Sequence, residues 1–284
     1  MIAFRAICAS LLALPLFACA PAERHAQAPV AHAEAPRRIV SLDYCADQYV
    51  LRFAERDDIL ALSPDAGERF SYMRHEAAGI PTVRPRTADV LALRPDLVVR
   101  SYGGGPAVGA FMETAGVPVV QIGFPETLAD VREEVVRIGG ALGNGQDARA
   151  VAAAMDRRFA AVAEQGGPDQ ATLYMTPAGV TAGEGTLVHE MMRAAGLSNF
   201  QDRPGWNPIP LERLAYDRPD LIAAAFFESA TNHVDSWSAA RHPVAQAQLR
   251  ELPVVPLDGA WTSCGGWFLI DAVEALARAE RAPR

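Results

Sequence analysis

The sequence predicts an α/β protein built from two lobes, each with a central parallel sheet, joined by one long α-helix. Short apolar runs alternate with amphipathic stretches in both halves of the chain, a pattern that favours parallel strands covered by helices. An Ala-rich stretch with few helix breakers, residues 146–164, lies between the two halves. Residues 88–98 are echoed by residues 212–222, since each segment is a helix, then Arg-Pro-Asp, then a strand.

The elements of the first half follow from hydrophobic periodicity and from Pro and Gly breakers. Residues 127–142 carry apolar side chains at alternating spacings of three and four, from Leu128 to Leu142, and Thr127 is a suitable N-cap. That pattern predicts an amphipathic helix. The other predicted elements are strands at 38–42, 59–62, 96–99 and 117–120 and helices at 46–55 and 88–93.

The long helix at 146–164 ends at Gly166-Gly167-Pro168, and strands alternate with helices again after it. The predicted strands of the second half are 171–175, 221–225 and 254–257, and the predicted helices are 187–195 and 269–280. We therefore place the first lobe at 37–142, the connecting helix at 143–167 and the second lobe at 168–284.

The N-terminus is typical of an export signal. Residues 1–5 are positively charged, and residues 6–17 are almost wholly apolar but too few to span a bilayer. Residues 16–19, Leu-Phe-Ala-Cys, resemble a bacterial lipobox, which predicts a signal peptide at 1–18 and a lipid anchor on Cys19. Ordinary cleavage nearby is the alternative. Residues 19–36 are rich in Ala and Pro and predict a flexible tether.

Composition excludes several classes of protein. The net charge of −8 argues against nucleic-acid binding. All 26 cationic residues are Arg, so Schiff-base chemistry and a Walker A phosphate loop are excluded. No GxSxG elbow is present, and residues 189–193 miss the HExxH zinc motif because Arg193 replaces the second His. We expect no enzymatic activity and no resident cofactor.

The order and spacing of several segments resemble the periplasmic binding proteins of ABC importers for iron–siderophore, haem and vitamin B12. These segments are residues 38–42, 91–98, 183–187 with 195–199, and 210–214 with 218–222. The resemblance implies two Rossmann-like lobes bridged by one rigid helix. It also implies a monomer that delivers a metal chelate to an ABC importer permease from the periplasm. We expect ligand binding to close the cleft by only a few degrees.

In that family, a surface carboxylate on each lobe pairs with Arg on the permease. Glu212 lies at the second-lobe position. The first-lobe position falls on Ala88, which departs from the pattern, and Asp89 is one residue along. A neighbouring helix position faces about 100° away. Glu212 and Asp89 are therefore the predicted docking residues.

Ligands of open α/β sheets bind beyond the carboxyl ends of the strands, where the loops of this chain are unusually aromatic. A flat, partly apolar chelate suits aromatic walls, and Arg side chains suit its carboxylates or phosphate. The predicted ligand-binding residues are Tyr44, Cys45, Tyr72, Arg74, Arg100, Tyr102, Trp206, Phe227, Trp237, Trp261 and Cys264.

Two questions stay open at this point. Cys45 and Cys264 lie one in each predicted lobe, and free thiols, ligand contact and a disulfide are all compatible with the sequence. A binding site for bare zinc or manganese is the alternative function. It needs three or four converging ligands, and outside the tether the available histidines are His75, His189, His233 and His242.

Overall fold

The computed structural model describes residues 38–165, 169–227 and 237–279. The first lobe is a four-stranded parallel sheet in the order β2-β1-β3-β4, with helices on both faces. Its elements are β1 (Ile39–Ser41), α1 (Tyr44–Phe53), β2 (Ile59–Ala61), α2 (Thr87–Ala92), β3 (Leu97–Arg100), α3 (Val108–Thr114), β4 (Val119–Gln121) and α4 (Leu128–Ala141). The predicted signal peptide, tether and Cys19 lie outside the described residues.

The long connecting helix is α5 (Gly145–Gln165), and a second four-stranded parallel sheet follows it in the order β10-β9-β5-β7. A small antiparallel pair, β6 with β8, lies beside this sheet. The elements are β5 (Ala171–Met175), β6 (Val180–Ala182), α6 (Leu187–Ala194), β7 (Ser198–Asn199), β8 (Trp206–Pro208), α7 (Leu211–Leu214), β9 (Leu221–Ala225), α8 (Pro243–Glu251), β10 (Val254–Leu257), α9 (Gly259–Thr262) and α10 (Leu269–Ala279).

The two sheets and the long helix confirm the predicted fold class. Strands β1, β3 and β9 are buried along their whole length, as expected for parallel strands with helices on both faces. None of the helices in the described ranges is long and apolar enough to cross a bilayer.

An aromatic contact joins the two lobes. We call Tyr49, Phe53, Tyr72, Trp267 and Phe268 the interlobe cluster, because the first three belong to the first lobe and the last two to the second. The Trp267 ring lies edge-on at 5.5 Å from Tyr49 and 5.6 Å from Phe53, measured between centroids. Tyr72 stacks on Phe268 at 4.6 Å. The Tyr49 hydroxyl also donates a hydrogen bond across the lobes to the Gly265 carbonyl at 2.8 Å.

An ion-pair network connects the long helix to the same contact. Arg158 of α5 donates to Asp271 at 2.6 Å and to Glu274 at 2.7 Å, both on α10. The Tyr72 hydroxyl donates to the other Asp271 oxygen at 2.9 Å. Burial, and then the carboxylate of Asp271, raise the pKa of Tyr72 to about 12. The helix and both lobes therefore share one polar network beside the interlobe cluster.

The buried carboxyl group of Asp47 is expected to make the free energy of unfolding depend on pH. This α1 carboxyl is fully buried and accepts hydrogen bonds from the Ser63 backbone N–H at 3.0 Å and hydroxyl at 2.6 Å. Burial raises the pKa of Asp47 to about 6 despite these bonds. Between pH 4 and 6 the folded protein holds a proton that the unfolded chain releases. The free energy of unfolding therefore falls as pH rises through this range, by about 3 kcal/mol.

Urea unfolding of the native protein and of Asp47→Asn at pH 4 and pH 7 tests this expectation. The amide holds no titrating proton, so the variant should lose about 3 kcal/mol less between the two pH values than the native protein. Asp57→Asn, at an exposed carboxylate, is the control and should follow the native curve. Parallel curves for the native protein and Asp47→Asn would contradict the assignment.

Candidate functional site

A cleft of about 510 Å³ opens between the lobes at the carboxyl ends of β1 and β3. Its size falls in the range of small-molecule sites. The lining is mostly apolar, with four aromatic side chains, an aliphatic floor and a few hydroxyl groups. These residues are Tyr44, Tyr102, Phe124 and Trp206, then Ile122, Leu187, Val188, Met191 and Leu269, and then Ser101, Thr186, Thr262 and Ser263.

Asp43 builds the first-lobe wall of the cleft. Its buried carboxylate caps α1 by accepting from the Ala46 N–H at 3.0 Å, and its other oxygen accepts from three successive N–H groups, those of residues 101–103, at 2.7, 3.1 and 2.8 Å. This one side chain fixes the start of α1 against the loop after β3. Tyr44 and Tyr102 consequently meet edge to face, with ring centroids 5.9 Å apart. Burial raises the pKa of both phenols, so both are uncharged at neutral pH.

Two exposed rings complete the walls. Trp206 of β8 is 60% exposed and Phe124, which follows β4, is 77% exposed. Large apolar side chains left open to solvent in a concave site favour a ligand with an apolar face. The cleft can therefore hold a flat, partly apolar molecule between aromatic walls.

The lining of the cleft also contains a disulfide. Cys45 of α1 and Cys264, which follows α9, are bonded, with their Cα atoms 5.5 Å apart. Both residues line the cleft, so the structure places them where they were predicted. Of the three alternatives for Cys45 and Cys264, the structure shows the disulfide that joins the two lobes. The alternative of two free thiols is therefore wrong. A thiolate pair that ligates a metal is excluded while the bond is intact.

The two predicted anion-binding arginines do not line the cleft. Arg100 is buried, and its Nη2 donates to the Gly105 carbonyl of its own lobe at 3.0 Å. Arg74 is half-buried, and its Nη1 donates to the Ser71 carbonyl at 3.2 Å. Among the described residues that line the cleft, the one charged side chain is Glu126, at its rim.

Four of the predicted aromatic residues lie elsewhere. Tyr72 belongs to the interlobe cluster, because its ring stacks on Phe268. Trp261 packs on the core beside the cleft. Phe227 lines a separate shallow depression with Val254 and Pro256. Trp237 is 91% exposed and is outside the cleft lining.

The predicted docking residues lie on short helices of the two lobes. Glu212 of α7 is exposed and lines a shallow surface depression with Tyr216. Asp89 of α2 is half-buried and lies 3.7 Å from the Arg84 guanidinium. Both carboxylates can be reached from solvent.

Phe124 and the first turn of α6 line the cleft but were not among the predicted ligand-binding residues. The position of Phe124 could have been predicted, because it follows strand β4 by three residues. Ligands of open α/β sheets lie beyond the strand ends, and this rule applies to β4 as well as to β1 and β3. For α6 the signal was the Gly183-Glu184-Gly185-Thr186 run before a helix. Thr186 caps that helix by accepting from the His189 N–H at 3.2 Å, which brings Leu187 and Val188 to the cleft.

The chain is similar to known periplasmic binding proteins in both sequence and structure. A family model described as periplasmic binding protein matches residues 68–246, more than half of the chain. The structure is similar to a periplasmic haem-binding protein from Roseiflexus sp. RS-1, with a TM-score of 0.68, 22% identity and coverage of 86% of this chain and 99% of that one. It is also similar to the periplasmic vitamin B12-binding protein of Vibrio cholerae, with a TM-score of 0.63, 19% identity and coverage of 87% and 97%.

A sequence relative is known as well. The cobalamin-binding protein of Halobacterium salinarum is 28% identical to this chain over 176 residues, which are 58% of this chain. The match spans 46% of that relative's length, so less than half of the relative has a counterpart here.

Proposed function

Because the chain belongs to the periplasmic binding protein family, whose members are solute-binding proteins and not enzymes, we propose that it delivers a metal chelate to an ABC importer. The chelate is a ferric siderophore, a haem or a cobalamin-type corrinoid. The observation that carries this proposal is the aromatic-walled cleft between two lobes joined by α5. The names of the similar proteins, which bind haem, vitamin B12 and cobalamin, support the same ligand class.

A bare zinc or manganese ion is the weaker candidate. No three His, Cys, Asp or Glu side chains converge as a metal site within the part of the chain that the structure describes. Cys45 and Cys264 are bonded to each other. A chelate needs no such ligand set from the protein, because it brings its own and presents a large organic surface.

The proposal extends to the partners of the protein. We place the mature chain in the periplasm, anchored through a lipid on Cys19 and docking on a permease through Glu212 and Asp89. The exposure of the Glu212 side chain supports that role, since an Arg of a partner can pair with its carboxylate.

Phe124 and Phe111 offer a matched test of the cleft. Both are exposed phenylalanines of the first lobe, but only Phe124 lines the cleft. With haemin, a ferric siderophore and cyanocobalamin as probes, we expect saturable one-to-one binding of at least one chelate. Phe124→Ala should lower the affinity for it by roughly tenfold, and Phe111→Ala should change it by less than about twofold.

Titrations followed by tryptophan fluorescence and by the absorption band of the chelate give these affinities. Binding of Zn²⁺ or Mn²⁺ in place of all three chelates would overturn the proposal in favour of the bare ion. An equal loss in both variants would show that the chelate binds outside this cleft.

A further inference from the structure

The described lining of the cleft contains one acidic residue and no basic residue. Among the described residues that line the cleft, Glu126 is the one residue of a charged type, and it is acidic. The chain has no Lys. A ligand that brings carboxylates or phenolates to this cleft therefore meets a negative charge and no side-chain cation among the described lining residues.

Arg100 and Arg137 lie outside the cleft lining and donate hydrogen bonds to acceptors of the first lobe. Arg100 Nη2 donates to the Gly105 carbonyl, as described above, while its buried Nε has no hydrogen-bond partner among the described residues. Arg137 of α4 donates to the Gln121 carbonyl and to the Glu134 carboxylate, each at 2.6 Å. A neutralising partner next to Arg137 reduces its attraction for an anion in the cleft.

The helix ends at the cleft are also neutralised. Helices α1, α4 and α6 all begin there, and a helix N-terminus carries a partial positive charge that attracts anions. A carboxylate stands at each of these ends. Asp43 caps α1, Asp130 forms a capping box with Thr127 on α4, and Glu190 lies in the first turn of α6. These ends are occupied by the chain's own anions.

From these charges we infer that the cleft selects chelates whose periphery is uncharged or cationic and discriminates against anionic ones. An amide-bearing corrinoid fits this description. Haem, with two propionates, and a ferric tris-catecholate, with three net negative charges, do not. The uncharged Tyr44 and Tyr102 hydroxyls suit peripheral amides, which both donate and accept hydrogen bonds. This inference rests on the proposed function and narrows its ligand class.

Competition among three probes tests the inference. The dissociation constants of cyanocobalamin, haemin and a ferric tris-catecholate are measured on the full mature chain at low and high salt. We expect cyanocobalamin to bind at least about tenfold more tightly than either anionic chelate at low salt, with the difference shrinking at high salt as the charges are screened. Tighter binding of haemin or the catecholate would overturn the inference and leave the proposed function standing. Binding of none of the three would overturn the proposed function itself.

Reversing the charge of Glu126 tests whether this charge causes the selectivity between chelates. Glu126→Arg should raise the ratio of the haemin affinity to the cyanocobalamin affinity by roughly threefold to tenfold at low salt. Glu133→Arg makes the same change of charge on the exposed face of α4, outside the cleft lining, and should alter neither affinity. An unchanged ratio of the two affinities in Glu126→Arg, or an equal change in Glu133→Arg, would contradict selection by the charge of the cleft.

Discussion

Removing the disulfide between Cys45 and Cys264 is expected to lower the free energy of unfolding by about 2–5 kcal/mol. The bond closes a loop across a sequence separation of 219 residues, so it lowers the conformational entropy of the unfolded chain. The midpoint of thermal unfolding should fall by roughly 5–15 °C. The interlobe cluster and the Arg158 network persist in Cys45→Ala/Cys264→Ala, so the variant should still fold.

Thermal and urea unfolding with and without a phosphine reductant measure this effect. The double variant should be insensitive to the reductant, while the native protein should approach the stability of the variant once reduced. Mass spectrometry of the cysteine peptides confirms the redox state. A reduced native protein that melts at the temperature of the oxidised one would show that the bond does not stabilise the fold.

Asp43→Ala is expected to cost about 3–5 kcal/mol of the free energy of unfolding. The substitution strands four N–H groups, those of Ala46 and of residues 101–103, in a site where the native carboxylate is 3% exposed. Chelate affinity should fall as well, because Tyr44 and Tyr102 lose the group that holds them together.

Two further variants separate the roles of this carboxylate. Asp43→Ser keeps a cap for α1 but cannot reach the loop after β3, so it should recover about 1 kcal/mol relative to Asp43→Ala and leave chelate binding weak. Asp89→Ala removes a more exposed carboxylate from α2 and should stay within about 0.5 kcal/mol of the native protein. Urea unfolding and chelate titration give both quantities. Equal stability of Asp43→Ala and Asp89→Ala would contradict the account.

The elements with strong periodicity could be predicted from the sequence. The strands at 171–175, 221–225 and 254–257 agree with β5, β9 and β10 residue for residue, because each is a compact apolar run between breakers. The helix predicted at 127–142 agrees with α4 to within one residue at each end. Helix α3 was missed, since only Val108 and Met112 of its seven residues are buried and no apolar stripe forms. Strands β6 and β8 were also missed, because each has only three residues, which is too few for a periodic pattern to be recognised.

The candidate site was less predictable. Some aromatic side chains that follow strand ends line the cleft, and others pack in the core. The residue type alone does not distinguish Tyr44, which lines the cleft, from Tyr72, which lies outside its lining. The difference depends on a partner distant in sequence, since Phe268 and Asp271 hold Tyr72 between the lobes. The orientation of Arg100 depends in the same way on the Gly105 carbonyl. A prediction of the disulfide requires the distance between Cys45 and Cys264, which no local sequence pattern gives.

The disulfide has a consequence for proteolysis. Cys45 lies in the first helix of the described chain and Cys264 shortly before the last, so almost every loop of the body falls inside the covalent ring that they close. A protease that cuts one of these loops releases no fragment, because both pieces stay attached through the two sulfur atoms. Reassociation of the pieces is then intramolecular and independent of protein concentration. A molecule cut once can therefore keep its two lobes paired, and with them its cleft.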